Sequence, residues 1–105
     1  MISISRQQKS IIIGTLLGDG YIYKDRYNGC RLEIKHSDKQ KDYVFWLHGV
    51  LKNICPGEPR QRKDNQQWKF NTESNDDIKL FRKLFYPKDK KVVPGNISKL
   101  FIDPL

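Results

Sequence analysis

The chain of 105 residues is poor in the side chains that build most structural metal and disulfide sites, since it has only two cysteines and two histidines. Cys30 and Cys55 provide neither a disulfide framework nor zinc-ligand spacing, and His36 and His48 are too far apart for a His-rich metal site. No apolar run is long enough to cross a bilayer, and the N-terminus lacks a signal-peptide pattern. We therefore expect an intracellular protein in a reducing compartment.

Positive charge, by contrast, is abundant, with 20 Lys and Arg against 12 Asp and Glu and a formal net charge of +8. This balance favours a polyanionic partner, either nucleic acid or an anionic membrane surface, although a basic charge also keeps many proteins soluble. A membrane-surface protein would carry a basic amphipathic helix, whereas the basic residues here lie mainly on predicted strands. We therefore expect no membrane partner.

Three serines mark the starts of predicted helices, because each precedes an apolar stripe and has a capping partner three residues on. The pairs are Ser5 with Gln8, Ser37 with Gln40 and, more weakly because Asp is short, Ser74 with Asp77. The first helix is predicted from Arg6 to Gly18, the second to end before Pro56, and the third before Pro87.

Between these helices the apolar residues alternate with period two, which is typical of strands with one packed face and one free face. The pattern is clear over residues 30–36 and 67–71 and weaker over 21–24 and 60–63, with turn residues at Asn28-Gly29 and Asp64-Asn65. The sequence therefore predicts an α+β fold in the order α-β-β-α-β-β-α, an antiparallel sheet with helices packed on one face. Residues 88–104 are predicted to form an extended tail.

The free strand positions, with Lys24 at the end of the first strand, are rich in side chains that bind base edges and phosphates. These candidate DNA-binding residues are Tyr21, Tyr23, Lys24, Arg31, Glu33, Lys35, Arg60, Arg62, Gln67, Lys69 and Asn71. A merely solvated face is the alternative, but such a face would mix both signs, whereas here cations far outnumber Glu33. A six-residue strand spans about 20 Å, or about six base pairs. We therefore expect nucleic-acid readout in a major groove, with RNA left open.

Gly14 and Gly18 lie four residues apart and so share one face of the first helix. Each glycine inside a helix costs about 0.5–1 kcal/mol relative to alanine, a cost that close packing of another helix backbone offsets. A glycine helix stop would explain Gly18 or Gly20 but not Gly14. We therefore predict that this face is an interface with a partner helix.

Asp19 follows this face at the helix C-terminus, where the helix dipole disfavours a carboxylate by about 0.3–1 kcal/mol. A divalent cation such as Mg²⁺ would reverse that preference, since it binds one or two carboxylates together with phosphate oxygens and water. The alternative is an ordinary turn aspartate in Gly18-Asp19-Gly20. Beside a basic sheet face, the carboxylate instead favours a metal site for phosphodiester hydrolysis.

The stretch IIGTLLGDG, residues 12–20, resembles the LAGLIDADG signature of homing endonucleases. Gly14 matches the internal glycine and Asp19-Gly20 the closing pair, while Leu17 replaces the first aspartate. The element order is that of the family, and the resemblance extends to the late segment KKVVP. In that family two motif helices pack across a two-fold axis, and each delivers a metal-binding aspartate to a saddle of strands lying on DNA.

The resemblance implies site-specific cleavage of double-stranded DNA, with Asp19 as metal ligand and catalytic residue and the Gly18 carbonyl as a further ligand of Mg²⁺ or another divalent cation. It also implies that Lys91, or the adjacent Lys90, polarises the attacking water or stabilises the transition state; the alternative for both lysines is a solvated linker. The protein would then reside where its host DNA lies, in the cytoplasm or an organelle matrix.

The chain contains one such motif, so the second aspartate must come from a homodimer mate or from a C-terminal half. Residues 100–105 resemble the segment that precedes a second motif helix, and we therefore expect the N-terminal half of a two-motif protein. Residues 1–105 would form one domain, with 87–105 as a tail or linker towards that second motif. An RNA splicing maturase and a non-catalytic DNA-binding module of the same fold remain open alternatives.

Overall fold

A computed structural model of the protein describes residues 4–97 and 99, which form three helices and four strands joined by short turns. The elements are α1 (Arg6–Leu16), β1 (Tyr21–Lys24), β2 (Cys30–His36), α2 (Lys41–Val50), β3 (Arg60–Gln61), β4 (Trp68–Asn71) and α3 (Asp76–Phe85). The predicted order and the α+β class are confirmed. The predicted tail is described only through residue 97 and at Lys99, and the rest of it lies outside the described residues.

The four strands form one antiparallel sheet in the order β1-β2-β4-β3, so the two hairpins meet through β2 and β4. On one face of the sheet α3 packs against β1 and β2, and α2 packs against β2 and β4. Side chains of all three helices join that face in a single buried cluster. The opposite face carries no helix among the described residues, as predicted.

The start of α1 confirms the predicted capping box, because the Gln8 amide donates to Ser5 Oγ at 3.1 Å and the Ser5 amide to Gln8 Oε1 at 2.9 Å. The other two predicted starts were wrong. The Ser37 side chain makes no capping bond, and a 3₁₀ turn precedes α2. Asn75 rather than Ser74 caps α3, and its side-chain oxygen accepts from the Asp77 amide at 2.8 Å. Asparagine is among the strongest caps, which explains the shift.

The chain leaves α1 two residues earlier than predicted, since the helix ends at Leu16 and residues 17–19 form a turn. The Gly20 amide closes this turn by donating to the Thr15 carbonyl at 2.8 Å. A Cβ at Gly20 would lie 2.8 Å from that same oxygen, so the turn requires a glycine here. The turn places Asp19 at the surface immediately before β1.

The second hairpin also differs from its prediction, because β3 spans only Arg60–Gln61. The Arg62 amide already donates to the Gln67 carbonyl at 2.8 Å, which starts the turn. The predicted pair Asp64-Asn65 lies within this turn, and the left-handed residue is Gln66, with φ 58°. In the first hairpin Asn28 is left-handed, with φ 63°, as its position before Gly29 indicated.

Candidate active site and nucleic-acid interface

Asp19 lies between α1 and β1 with its side chain 76% exposed. Because Tyr21 of β1 pairs with Glu33 of β2, the residues before Tyr21 lie alongside the end of β2. There His36 Nδ1 approaches Asp19 Oδ2 to 3.5 Å. The His36 ring packs edge-on against Tyr43 of α2, with 5.3 Å between ring centres. The carboxylate is therefore open to solvent beside an imidazole that α2 holds in place.

Lys91 joins the same site from the segment after α3. Its ammonium donates to the Gly18 carbonyl at 2.8 Å and to the Gly20 carbonyl at 2.6 Å. A backbone bond of 2.7 Å from the Val92 amide to the Phe85 carbonyl anchors this segment to the end of α3. Burial lowers the pKa of Lys91, and the charge of Asp19 partly opposes that effect. Lys90 forms no hydrogen bond or ion pair among the described residues, so the bonds of Lys91 to the two carbonyls favour Lys91 over its neighbour.

The donor set around Asp19 suits a hard divalent cation. The Asp19 carboxylate is a hard oxygen donor, whereas the Gly18 carbonyl already accepts from Lys91 Nζ at 2.8 Å and has one lone pair left. Mg²⁺ typically completes its shell with waters and substrate phosphate oxygens. Nowhere in residues 4–97 and 99 do three or more His, Cys, Asp or Glu side chains converge as metal ligands. The described part of the chain can therefore supply some of the ligands of such a cation, but not all of them.

The exposed face of α1 leads directly to this site. A Cβ at Gly14 would meet nothing within 4 Å, and the nearest contact at Gly18 would be the Thr15 carbonyl at 3.8 Å. Leu17 beside them is 43% exposed. The predicted interface of Gly14 and Gly18 is therefore uncovered within the described chain and continues into the turn that holds Asp19.

The free face of the sheet gathers most of the candidate DNA-binding residues. The register forms three rows across the strands: Tyr23 with Arg31, Tyr21 with Glu33 and Asn71, and Lys35 with Lys69 and Arg60. Only Glu33 is acidic in these rows, and it lies 3.7 Å from Lys69 Nζ. Lys35 and Arg60 have no ionic partner in the part of the chain that the structure describes. The face is therefore strongly basic.

Three of the predicted DNA-binding residues lie elsewhere. Lys24 pairs with buried Cys30 and so belongs to the helix side of the sheet, because strand side chains alternate between faces. Arg62 lies in the β3–β4 turn, where it binds Asp64 at 2.9 Å. Gln67 precedes β4, and its side-chain oxygen accepts from Asn65 at 3.0 Å. Arg62 and Gln67 flank the basic face, whereas Lys24 does not belong to it.

Two features of the Asp19 site were not predicted, namely the neighbouring His36 and the Gly20 carbonyl that binds Lys91. The signal for His36 was available, since antiparallel pairing of the first two strands brings the end of β2 beside the turn before β1. No comparable signal in the sequence predicted the contact of the Gly20 carbonyl, because its bond to Lys91 joins residues 71 positions apart.

Comparison with known proteins agrees with this geometry. A model of the LAGLIDADG DNA endonuclease family matches residues 9–105. DNA endonuclease I-ChuI of Chlamydomonas applanata is 32% identical over 99 residues, covering 84% of this chain and 45% of that protein. The structure of the homing endonuclease I-WcaI bound to its DNA recognition sequence gives a TM-score of 0.73 at 22% identity, covering 94% of this chain and 46% of that one. RecA of Mycolicibacterium chitae is 40% identical over 54 residues, which cover 50% of this chain and 13% of RecA.

The chain belongs to the LAGLIDADG DNA endonuclease family, which confirms the resemblance carried by residues 12–20. It spans about half the length of I-ChuI and of the I-WcaI chain, at 45% and 46%. Within the part that the structure describes, no helix combines the length and the apolar character needed to cross a bilayer.

Proposed function

We propose that this chain is a catalytic domain of a site-specific endonuclease that hydrolyses phosphodiester bonds of double-stranded DNA. The observation that carries the proposal is the position of Asp19. Its exposed carboxylate lies where an uncovered helix face meets a basic sheet face, with Lys91 Nζ bound to the two carbonyls that flank it in the chain. An aspartate that merely lies in a solvated turn would not require the helix face, the sheet face and Lys91 to meet beside it.

DNA would lie on the free face of the sheet, with the rows of Arg31, Lys35, Lys69 and Arg60 against its phosphates and base edges. Arg and Lys bind guanine or phosphate oxygens, and Asn binds adenine. The Asn71 amide nitrogen donates to Tyr23 Oη at 3.2 Å, while its side-chain oxygen is buried without a protein partner among the described residues. Lys35 and Arg60, which have no ionic partner among the described residues, would supply affinity directly, whereas Arg31 and Lys69 are paired with Asp25 at 3.2 Å and with Glu33 at 3.7 Å and would have to exchange these carboxylates for DNA.

In the cleavage step a water oxygen attacks phosphorus and loses a proton to solvent, while the bond from phosphorus to the leaving deoxyribose oxygen breaks and that oxygen takes up a proton. Asp19 and the Gly18 carbonyl would hold a divalent cation, which when bound stabilises charge on the phosphate and lowers the pKa of water. Lys91 supplies a second positive charge at the same place, held by its bonds to the Gly18 and Gly20 carbonyls. His36 restrains the Asp19 carboxylate from the side of β2.

A second motif domain would complete the site, since the described residues bring only one carboxylate of this kind to the centre. The uncovered face of α1, from Gly14 to Gly18, is the surface on which we place that domain. It would come either from a second copy of the chain or from a second motif in a longer polypeptide. Both arrangements bring two copies of the Asp19 turn together.

Selection from a library of random duplexes tests the DNA-binding part of this proposal. We expect one enriched sequence, and Arg31→Ala and Lys69→Ala should each weaken binding to it by about 1–3 kcal/mol. Lys39→Ala is the matched control, because Lys39 is exposed outside the sheet and should change binding much less. Failure to enrich any duplex would contradict the proposal, as would tighter binding to a structured RNA obtained in a parallel selection from random RNA.

A further inference from the structure

A second concentration of positive charge lies on the helix side of the sheet, away from the face proposed to bind duplex DNA. There a cavity of about 440 Å³ opens between β1 and α3. Its lining residues are Lys24, Cys30, Lys79, Arg82, Lys83, Tyr86, Pro87 and Asp89. Four of these are cationic and one is acidic, so the cavity has the electrostatic character of an anion site.

The single carboxylate neutralises only part of this charge. Asp89 binds Arg82 at 3.3 Å, and the Arg82 guanidinium lies 5.0 Å above the Tyr86 ring. The Arg82 side chain is only 12% exposed, and its buried Nε has no hydrogen-bond partner among the described residues. Lys79 and Lys83 are exposed and form no ion pair within the described chain. Three lysines thus surround an arginine that is already fixed in place.

The fold alone does not account for this arrangement. Arg82 and Lys83 in the last turn of α3 interact favourably with the helix dipole, so these two have an ordinary structural reason. Lys79 lies a full turn earlier, and like charges four residues apart on a helix destabilise it. Lys24 comes from a different element and adds to the same repulsion. A bound anion would remove that cost.

We propose that this cavity binds the phosphodiester backbone of a nucleic-acid segment other than the duplex on the sheet. Lys79 and Lys83 are separated by one helical turn, with about 6 Å between their Cβ atoms, which is close to the rise of about 6.8 Å over two nucleotide steps at about 3.4 Å each. The lysines are exposed on the rim rather than enclosed, which suits a continuous backbone better than an isolated phosphate ion. Contacts of this kind position a strand without reading its sequence.

The test uses a variant in which Arg31→Ala and Lys69→Ala weaken nucleic-acid binding by the sheet face. The binding that remains then measures the contribution of the cavity. In that background the pair Lys79→Gln and Lys83→Gln is compared with the charge-matched pair Lys39→Gln and Lys52→Gln. Fluorescence anisotropy of a short single-stranded oligonucleotide of mixed sequence gives the dissociation constant as a function of salt. Lys24→Gln provides an independent variant from another element.

We expect the α3 pair to weaken binding about fivefold and to reduce the slope of log affinity against log salt by about 1.4, or two contacts at about 0.7 each. The control pair should reduce both quantities much less, and Lys24→Gln should shift them in the same direction as the α3 pair. Equal losses for the α3 pair and the control would overturn the proposal.

Two other results would also overturn it. Inorganic phosphate that displaces the oligonucleotide at low concentration would indicate a site for a small anion. Binding to vesicles of anionic phospholipid that the α3 pair abolishes, without an effect on the oligonucleotide, would indicate a membrane surface. Neither result bears on cleavage at Asp19, so the endonuclease proposal stands or fails separately.

Discussion

The two sides of α1 differ sharply although they belong to the same eleven-residue helix. On one side Ile12, Ile13 and Leu16 are at most 1% exposed and contribute to the core. On the other side Gly14 is exposed, and a Cβ added to it would meet nothing within 4 Å. The helix is therefore needed for folding on one side only, and its second side has no structural purpose within this domain.

The difference separates residues that stabilise the fold from residues that are available for function. A buried aliphatic side chain stabilises the domain through the apolar area that it removes from water. A solvent-facing glycine does the opposite, because it weakens the helix and buries nothing. Gly14 in α1 and Gly18 in the turn that follows are both open to an added Cβ and lead to Asp19, which is consistent with a surface kept flat for a second motif domain.

The largest expected effect on stability separates two adjacent leucines. Leu16→Ala should lower the free energy of unfolding by about 2–5 kcal/mol, because Leu16 is fully buried. Leu17→Ala is the matched control and should lower it by less than about 1 kcal/mol, since Leu17 is 43% exposed. Chemical denaturation of both variants measures the difference. Equal losses would mean that Leu17 is packed in the isolated chain and that the exposed face is not open.

A smaller effect of opposite sign should separate Gly14 from Gly20. Gly14→Ala should raise the free energy of unfolding by about 0.5–1 kcal/mol, because alanine favours the helix and the added methyl meets nothing. Gly20→Ala should lower it by about 1–3 kcal/mol through contact with the Thr15 carbonyl. Denaturant titration measures both changes. Destabilisation by Gly14→Ala would show that this side of α1 is packed after all.

The fold was accessible from the sequence because its determinants are local. The period-two patterns in residues 30–36 and 67–71 and the Ser5–Gln8 capping box each depend on residues close together in the chain. The start of α3 was misplaced by one residue because Ser74 and Asn75 are both good caps, and the sequence does not decide between neighbours. The end of α1 was overextended because apolar periodicity continues through Leu17 into the turn.

The site was only partly accessible, because its contacts join distant residues. Asp19 was predicted from an unfavourable helix position, and the role of Lys91 from family resemblance. The bonds from Lys91 to the Gly18 and Gly20 carbonyls and the approach of His36 depend on tertiary packing. Lys24 was placed with the DNA-binding residues because of its charge, whereas strand alternation puts it on the helix side, next to α3.

Asp19 is proposed to hold the cation required for DNA cleavage, and cleavage by a variant without this carboxylate tests the proposal directly. Cleavage of the selected duplex is followed with Mg²⁺ for Asp19→Asn and for Asp42→Asn, an exposed control on α2, each in an assembly containing two motif domains. Loss of a supporting group around a metal costs about 10–100-fold, so loss of the ligand itself should cost at least that. We predict that Asp19→Asn binds the duplex but no longer cleaves it, while Asp42→Asn does both. Undiminished cleavage by Asp19→Asn would contradict the account.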